Sequence, residues 1–300
     1  MKILVTGATG TIGTAVSRVA VSKGHEVTCI VNPESKRTEK LKSIEGVNII
    51  PCSIVDYNRL ELEEKYDVLI HLAWAKTTVS GRDDVDTQLV NVMYTLDAVK
   101  LASRCGCKMF IGAGSQAEYG IKDEPLTPEL PVNPESGYGI AKYTAGKMSK
   151  ILAEKLGMRF AWMRILSIYG PDDGVSSLIS YVVSSIEQKI KPALTKCEQQ
   201  WDYLYSEDAA EAFLAVAESD IKSKYYVLGS GNGRRLREYV EEIRDIIAPG
   251  VQLGFGEKDY YPHQPMYLVA DVSELTNDTG WKPHVRFADG IDRIIKSSEV

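Results

Sequence analysis

The chain has no apolar run approaching the roughly 18 residues that a membrane-crossing helix needs, no internal repeat and no low-complexity stretch. A spanning segment, a solenoid and a disordered polymer are therefore not expected. Met1 leads straight into a β-rich run, without the basic segment and cleavable apolar core of a secretory leader. Cysteine is sparse and odd in number: Cys29, Cys52, Cys105, Cys107 and Cys197 lie mostly in apolar runs, and Cys105-Gly-Cys107 lacks a second pair to complete a metal site. Reduced thiols, a cytoplasmic location and no metal are expected. Positive charge is not in excess, the net charge being -6, so neither a nucleic acid nor a membrane surface is expected as partner. What is present is 300 residues, 44% hydrophobic and 25% charged, ample for one large core.

Residues 2–6, Lys-Ile-Leu-Val-Thr, read as a short strand, followed at once by Gly7-Ala-Thr-Gly10-Thr-Ile-Gly13 and an apolar-periodic helix from Thr14 to about Lys23. Strand, glycine turn and helix are the setting of a dinucleotide-binding loop: glycines permit the tight turn and close approach, and the helix N-terminus holds a pyrophosphate. Gly7, Thr9, Gly10, Thr11, Ile12 and Gly13 are the candidate seat. The next strand, 26–31, ends at Asn32, with no acid to hold a ribose 2′-hydroxyl, and with Lys36 and Arg37 a few residues on. That leans towards NADP, while Glu34 keeps NAD open. A start to a solvated helix explains Lys36 and Arg37 equally well.

Residues 47–50 read as a third strand and 66–73 as a fourth, nearly all apolar as a strand buried on both faces should be. Leu72 and Ala73 close the fourth and are expected beside the cofactor; His71, inside the run, reads as a satisfied core histidine. A helix from about 86 to 104 leads to a fifth strand at 108–112, which runs into Ser115 at the end where doubly wound sheets bind ligands. Beyond a proline-rich loop stands Ser136-Gly-Tyr138-Gly-Ile-Ala-Lys142-Tyr-Thr-Ala-Gly146. Tyr138 and Lys142, four apart, share a helix face, and an ammonium within roughly 4–6 Å would lower the phenol's pKa. Tyr138 could then trade a proton with an alcohol.

With these motifs in order, the chain resembles an extended short-chain dehydrogenase/reductase of the nucleotide-sugar epimerase/dehydratase family. The resemblance covers essentially all 300 residues and includes Asn133-Pro134, Arg164-Ile-Leu-Ser-Ile-Tyr-Gly-Pro171, Gln200-Trp-Asp-Tyr-Leu-Tyr-Ser-Glu-Asp208 and Gly280-Trp-Lys-Pro283. It implies that Tyr138 is the general acid/base, that Lys142 lowers its pKa and holds the nicotinamide ribose, and that Ser115 orients the sugar oxygen. The fold expected is α/β, a Rossmann-type doubly wound parallel sheet with a small C-terminal substrate-binding lobe. Residues 1–168 and 204–230 would form the NAD(P)-binding part, and 169–203 and 231–300 the lobe. The family also implies a homodimer.

Departures from the family pattern narrow the reaction. The Asp-Glu pair by which dehydratases remove water is here Gln116 and Ala117, and Glu118 comes one place too late, so dehydration is not expected. The arginines that commonly hold a sugar diphosphate are replaced by Trp201 and, near the second position, Tyr260 and Tyr261; a substrate-contacting asparagine is Ser167. An aromatic ring cannot supply a bidentate charged clamp. Lys191, Lys196, Arg234 and Arg235 are loose substitutes, and Gln116, Ser167, Trp201 and Tyr261 the candidate substrate contacts. The expectation is a nucleotide-sugar epimerase, with an NADPH-dependent 4-ketoreductase close behind, a reductase of a non-sugar carbonyl compound as second hypothesis, and a non-catalytic dinucleotide sensor as a third of another class.

Overall fold

Strand β1 (Lys2–Thr6) is buried from Ile3 onward and pairs on both sides, with β2 (Glu26–Val31) and with β4 (Val68–His71). The computed structural model describes residues 1–77, 81–174, 177–261 and 264–298. With β3 (Val47–Pro51), β5 (Met109–Ser115), β6 (Arg159–Ile165) and the strand Lys224–Leu228, these make a seven-stranded parallel sheet. Its order is Lys224–Leu228, β6, β5, β4, β1, β2, β3. Chain order reverses at β1, which opens a crevice beyond the carboxyl ends of β1 and β4.

Helices cover both faces, as a sheet buried on both sides requires. On one, α1 (Thr11–Ser22) and α6 (Ser206–Glu218) close the core with Ala15, Val16, Ala209 and Phe213. The other carries α3 (Val85–Arg104) and α4 (Gly137–Lys155), with Val92, Ala98, Ala141 and Ala145 on Phe110, Phe160 and Trp162. The short α2 (Thr38–Lys42) adds Leu41. A further cluster joins Tyr169, at the end of β7 (Ser167–Tyr169), to α5 (Leu178–Glu187), α7 (Leu236–Ile247) and α9 (Phe287–Ser298) through Val182, Tyr239, Ile243 and Ile291. The short α8 (Ser273–Thr279) packs beside Lys224–Leu228. The apolar stripe of α7, Leu236, Tyr239, Val240 and Ile243, is buried in this core.

Three boundaries differ from the sequence reading. Helix α1 starts at Thr11, not Thr14, because Gly10 is its extended N-cap and the glycine loop passes directly into the first turn. Strand β5 runs on to Ser115 because its pairing with β6 continues to Ser115 opposite Ile165. Strand β4 is confined to Val68–His71: Tyr66 N–H turns aside to the Cys105 carbonyl, and beyond His71 ladder pairing ends. All five cysteines are free and buried. Among the described residues no helix is long and apolar enough to cross a membrane.

Candidate active site

Each glycine of the first loop is required differently. Gly7 lies at φ 69°, and a Cβ on it would stand 2.5 Å from the Ala73 nitrogen, so only glycine lets the loop pass beneath the end of β4. A Cβ on Gly13 would stand 2.4 Å from the Gly7 carbonyl oxygen. Gly10 is open: the one neighbour within 4 Å would be the Gly7 oxygen at 3.5 Å. No side chain caps α1 at Gly10, so its first-turn amides are left to an outside acceptor.

These amides face a cleft of about 1360 Å³. It is lined by Gly7, Thr9, Gly10, Thr11, Ile12, Gly13, Asn32, Arg37, Leu72, Ala73 and Tyr261, all singled out from sequence. Lys36 does not line it and is exposed, as a solvated helix start would be. Residues 172–174 close one side: the Thr11 hydroxyl donates to the Asp172 carbonyl at 3.0 Å, and the Asp172 carboxylate pairs with Lys40 at 2.9 Å and Arg18 at 3.4 Å. Asp173 and Gly174 then reach the cleft, and burial pushes the Asp173 carboxyl above the usual range, partly offset by Ser177, Gly174 and Arg37. The sequence reading missed this strap, whose only local signal is Asp172-Asp173 after Gly170-Pro171.

Ser115, Tyr138 and Lys142 come together from β5 and α4. Ser136 caps α4, accepting from Gly139 N–H at 3.1 Å, while Tyr138 N–H is tied to the Arg82 carbonyl at 2.8 Å. All three side chains are buried, at 6%, 9% and 4% exposure, and none lines the cleft; Trp74, Arg82 and Ala113 do. The Lys142 ammonium donates to the Ala113 carbonyl at 2.7 Å and lies 3.8 Å from the centre of the Trp74 ring.

The electrostatics correct one expectation. Lys142 does not make the Tyr138 phenol acidic here: burial pushes that phenol above its ordinary value, and what pulls it back is a hydrogen bond with Ser115 and then the Arg82 guanidinium, 5.2 Å from the ring centre. Burial pushes Lys142 itself down to about 7, with Glu118 pulling it back up. His71 is also not fully satisfied: Nδ1 shares a 2.7 Å hydrogen bond with Thr6, but Nε2 has no partner among the described residues, and burial pushes the ring down to about 3.

Glu118 is the residue behind the serine. Ser115 and Glu118 form a capping box, in which the serine oxygen accepts from Ala117 N–H at 3.2 Å and Glu118 accepts from Ser115 N–H at 2.9 Å. The same carboxylate accepts from Trp162 Nε1 at 2.8 Å and from Arg164 Nε at 2.9 Å, with carboxylate and guanidinium both buried. The Ser-x-x-Glu spacing was the available signal.

The substrate candidates are only partly gathered. Trp201 Nε1 donates to the Ser167 hydroxyl at 2.8 Å, and Gln116 follows Ser115 in its turn, but none of the three lines the cleft. Tyr261 does, from an exposed position. Of the substitute cations, Arg234 is held by Glu242 at 2.6 Å and Lys191 by Glu257, while Arg235 and Lys196 are exposed. Asp208, Glu211 and His284 gather within 4.8 Å, but Asp208 is already bonded by His284 and Val285 N–H groups, which makes the group a staple for the 284–285 backbone.

The model of the NAD dependent epimerase/dehydratase family matches residues 3–229. Similar curated proteins include the dTDP-4-dehydro-6-deoxyglucose reductase of Escherichia coli, 25% identical over 98% of this chain and 96% of its own, and the dTDP-glucose 4,6-dehydratase of Escherichia coli, 26% identical over 98% and 92%. The solved UDP-N-acetylglucosamine 4-epimerase of Methanobrevibacter ruminantium shares the fold with a TM-score of 0.88, at 23% identity over 98% of each chain. Other solved structures with this fold hold NAD or, in one case among those compared, NADPH.

Proposed function

Since the chain belongs to the NAD dependent epimerase/dehydratase family, we propose that it binds NAD or NADP along the glycine loop and epimerises a nucleotide sugar, with Tyr138 as the proton carrier. The observation that carries this is the open cleft over Gly10 and the uncapped α1 N-terminus, ending at a wall behind which Ser115, Tyr138 and Lys142 converge. The loop fits a dinucleotide: the Gly10 position has room for a phosphate where any Cβ would intrude, and free amides point at it. A bound nicotinamide supplies the hydride acceptor and donor. Ser115 fixes the sugar oxygen and Tyr138 passes its proton; Arg82 favours the ionised phenol, while Glu118 holds the serine in place. Lys142 would hold the nicotinamide ribose.

Relatives span reduction, dehydration and epimerisation, so family membership alone leaves the reaction open. Against dehydration stand Gln116 and Ala117, and the burial of Glu118 in its pairing with Arg164. A 4-ketoreductase is the second reading, favoured by Arg37 in the cleft beside Asn32, which would suit a 2′-phosphate. Exposed Leu89 and Met93 on α3 and Ile140, Met148 and Ile151 on α4 support a homodimer across these helices. The test is to identify the nucleotide that co-purifies and then supply UDP-, dTDP- and CDP-sugars. An epimerase gives the stereoisomer without external reductant, a reductase consumes NAD(P)H stoichiometrically with a 4-keto sugar, and absence of both activities would refute the reading.

A further inference from the structure

A tryptophan directly follows His71-Leu72-Ala73, where β4 gives way to the cleft. Its indole N–H donates to Gln88 Oε1 at 2.9 Å, and that buried glutamine in turn donates to the Lys76 and Gly81 carbonyls. One face of the Trp74 ring carries the Lys142 ammonium at 3.8 Å, and the ring meets Tyr138 edge to face, centroids 6.0 Å apart at 85°. Trp74 lines the cleft; Lys142 and Tyr138 do not. A ligand group moving along the cleft towards either of them meets the indole first.

We propose that Trp74 is a gate that competes with the dinucleotide for Lys142. The inference rests on the cofactor reading above. For a ribose hydroxyl to take the ammonium, the ring must leave it, giving up both the cation–π contact and the Gln88 tether. Cofactor affinity is lowered by the cost of that displacement, and the same movement uncovers Tyr138, so loading the cleft and opening the reaction site become one event. The polar groups left around Lys142 are then the Ala113 carbonyl, Glu118 from the turn after β5, His71 from β4, and Tyr138 with Arg82 above it.

The gate reverses the usual expectation for an aromatic residue in a binding cleft. Titration calorimetry of the full chain with NAD and with NADP should show Trp74→Ala and Trp74→Leu binding the preferred dinucleotide about 3–10-fold more tightly than the wild type; the leucine variant keeps an apolar side chain should alanine prove unstable. Weaker binding by both variants would make Trp74 a stacking platform and overturn the gate. If the wild type binds neither dinucleotide, the cofactor reading falls and the gate with it; if it binds and the variants gain nothing, the gate alone falls.

Discussion

Replacing Gly10 by valine separates folding from binding. Gly10 sits at φ -81°, ψ 168°, a conformation open to any residue, and its Cβ would have a single neighbour within 4 Å, 3.5 Å away. Losing glycine at an N-cap costs about 1 kcal/mol, or roughly 2–4 °C of melting temperature in a chain of this size. In the cleft the two methyl groups stand where pyrophosphate oxygens would approach the α1 amides, and no flexible side chain can yield. Binding of either dinucleotide should weaken at least about 100-fold, roughly 2.8 kcal/mol. Gly13→Ala should do the opposite: its Cβ would lie 2.4 Å from the Gly7 oxygen and 2.6 Å from Ala8 Cα, so backbone must shift and stability falls. Calorimetric titration alongside thermal unfolding measures both. A stable Gly10→Val protein that binds a dinucleotide as the wild type does would refute the assignment of this loop.

Tyr138→Phe should lower turnover by roughly 10²–10⁴ with cofactor affinity nearly intact; undiminished turnover removes Tyr138 from the chemistry. Glu118→Ala leaves the Arg164 guanidinium buried without its carboxylate, so a loss of about 3–5 kcal/mol is expected by denaturant unfolding, against under about 0.5 kcal/mol for Glu39→Ala in the exposed Glu39–Lys42 pair. Equal effects at the two sites would show that the buried pair is not the anchor described. Burial pushes Lys142 down to about 7 in the folded protein against about 10.4 unfolded, so between these values the unfolded chain holds the proton and stability should rise with pH. From pH 7 to pH 9 the wild type should gain about 2 kcal/mol over Lys142→Met; parallel curves for the two proteins would place the amine in water.

Residues whose roles depend on near neighbours were legible in the chain. Glycine spacing after a short apolar strand gave the loop, and a four-residue interval put Tyr138 and Lys142 on one turn of α4, because both are consequences of backbone geometry over a few residues. A doubly wound parallel sheet was also legible from apolar runs alternating with helical periods, whereas the order of its seven strands came from tertiary pairing.

What local pattern could not supply was the environment of those groups. Whether an ammonium beside a phenol lowers its pKa depends on how much water and which third charge share the site, and here Trp74, 64 residues before Tyr138, walls off Lys142 while Ser115 and Arg82 act on the phenol. Glu118 finds Arg164 from a neighbouring strand, and Asp172 finds Arg18 and Lys40 from across the molecule. The sequence determined which chemistry-bearing groups exist and how they sit on their own elements. Only the packing of β4, β5, β6 and α4 decided their charge states and access, because desolvation and Coulomb interactions act through space.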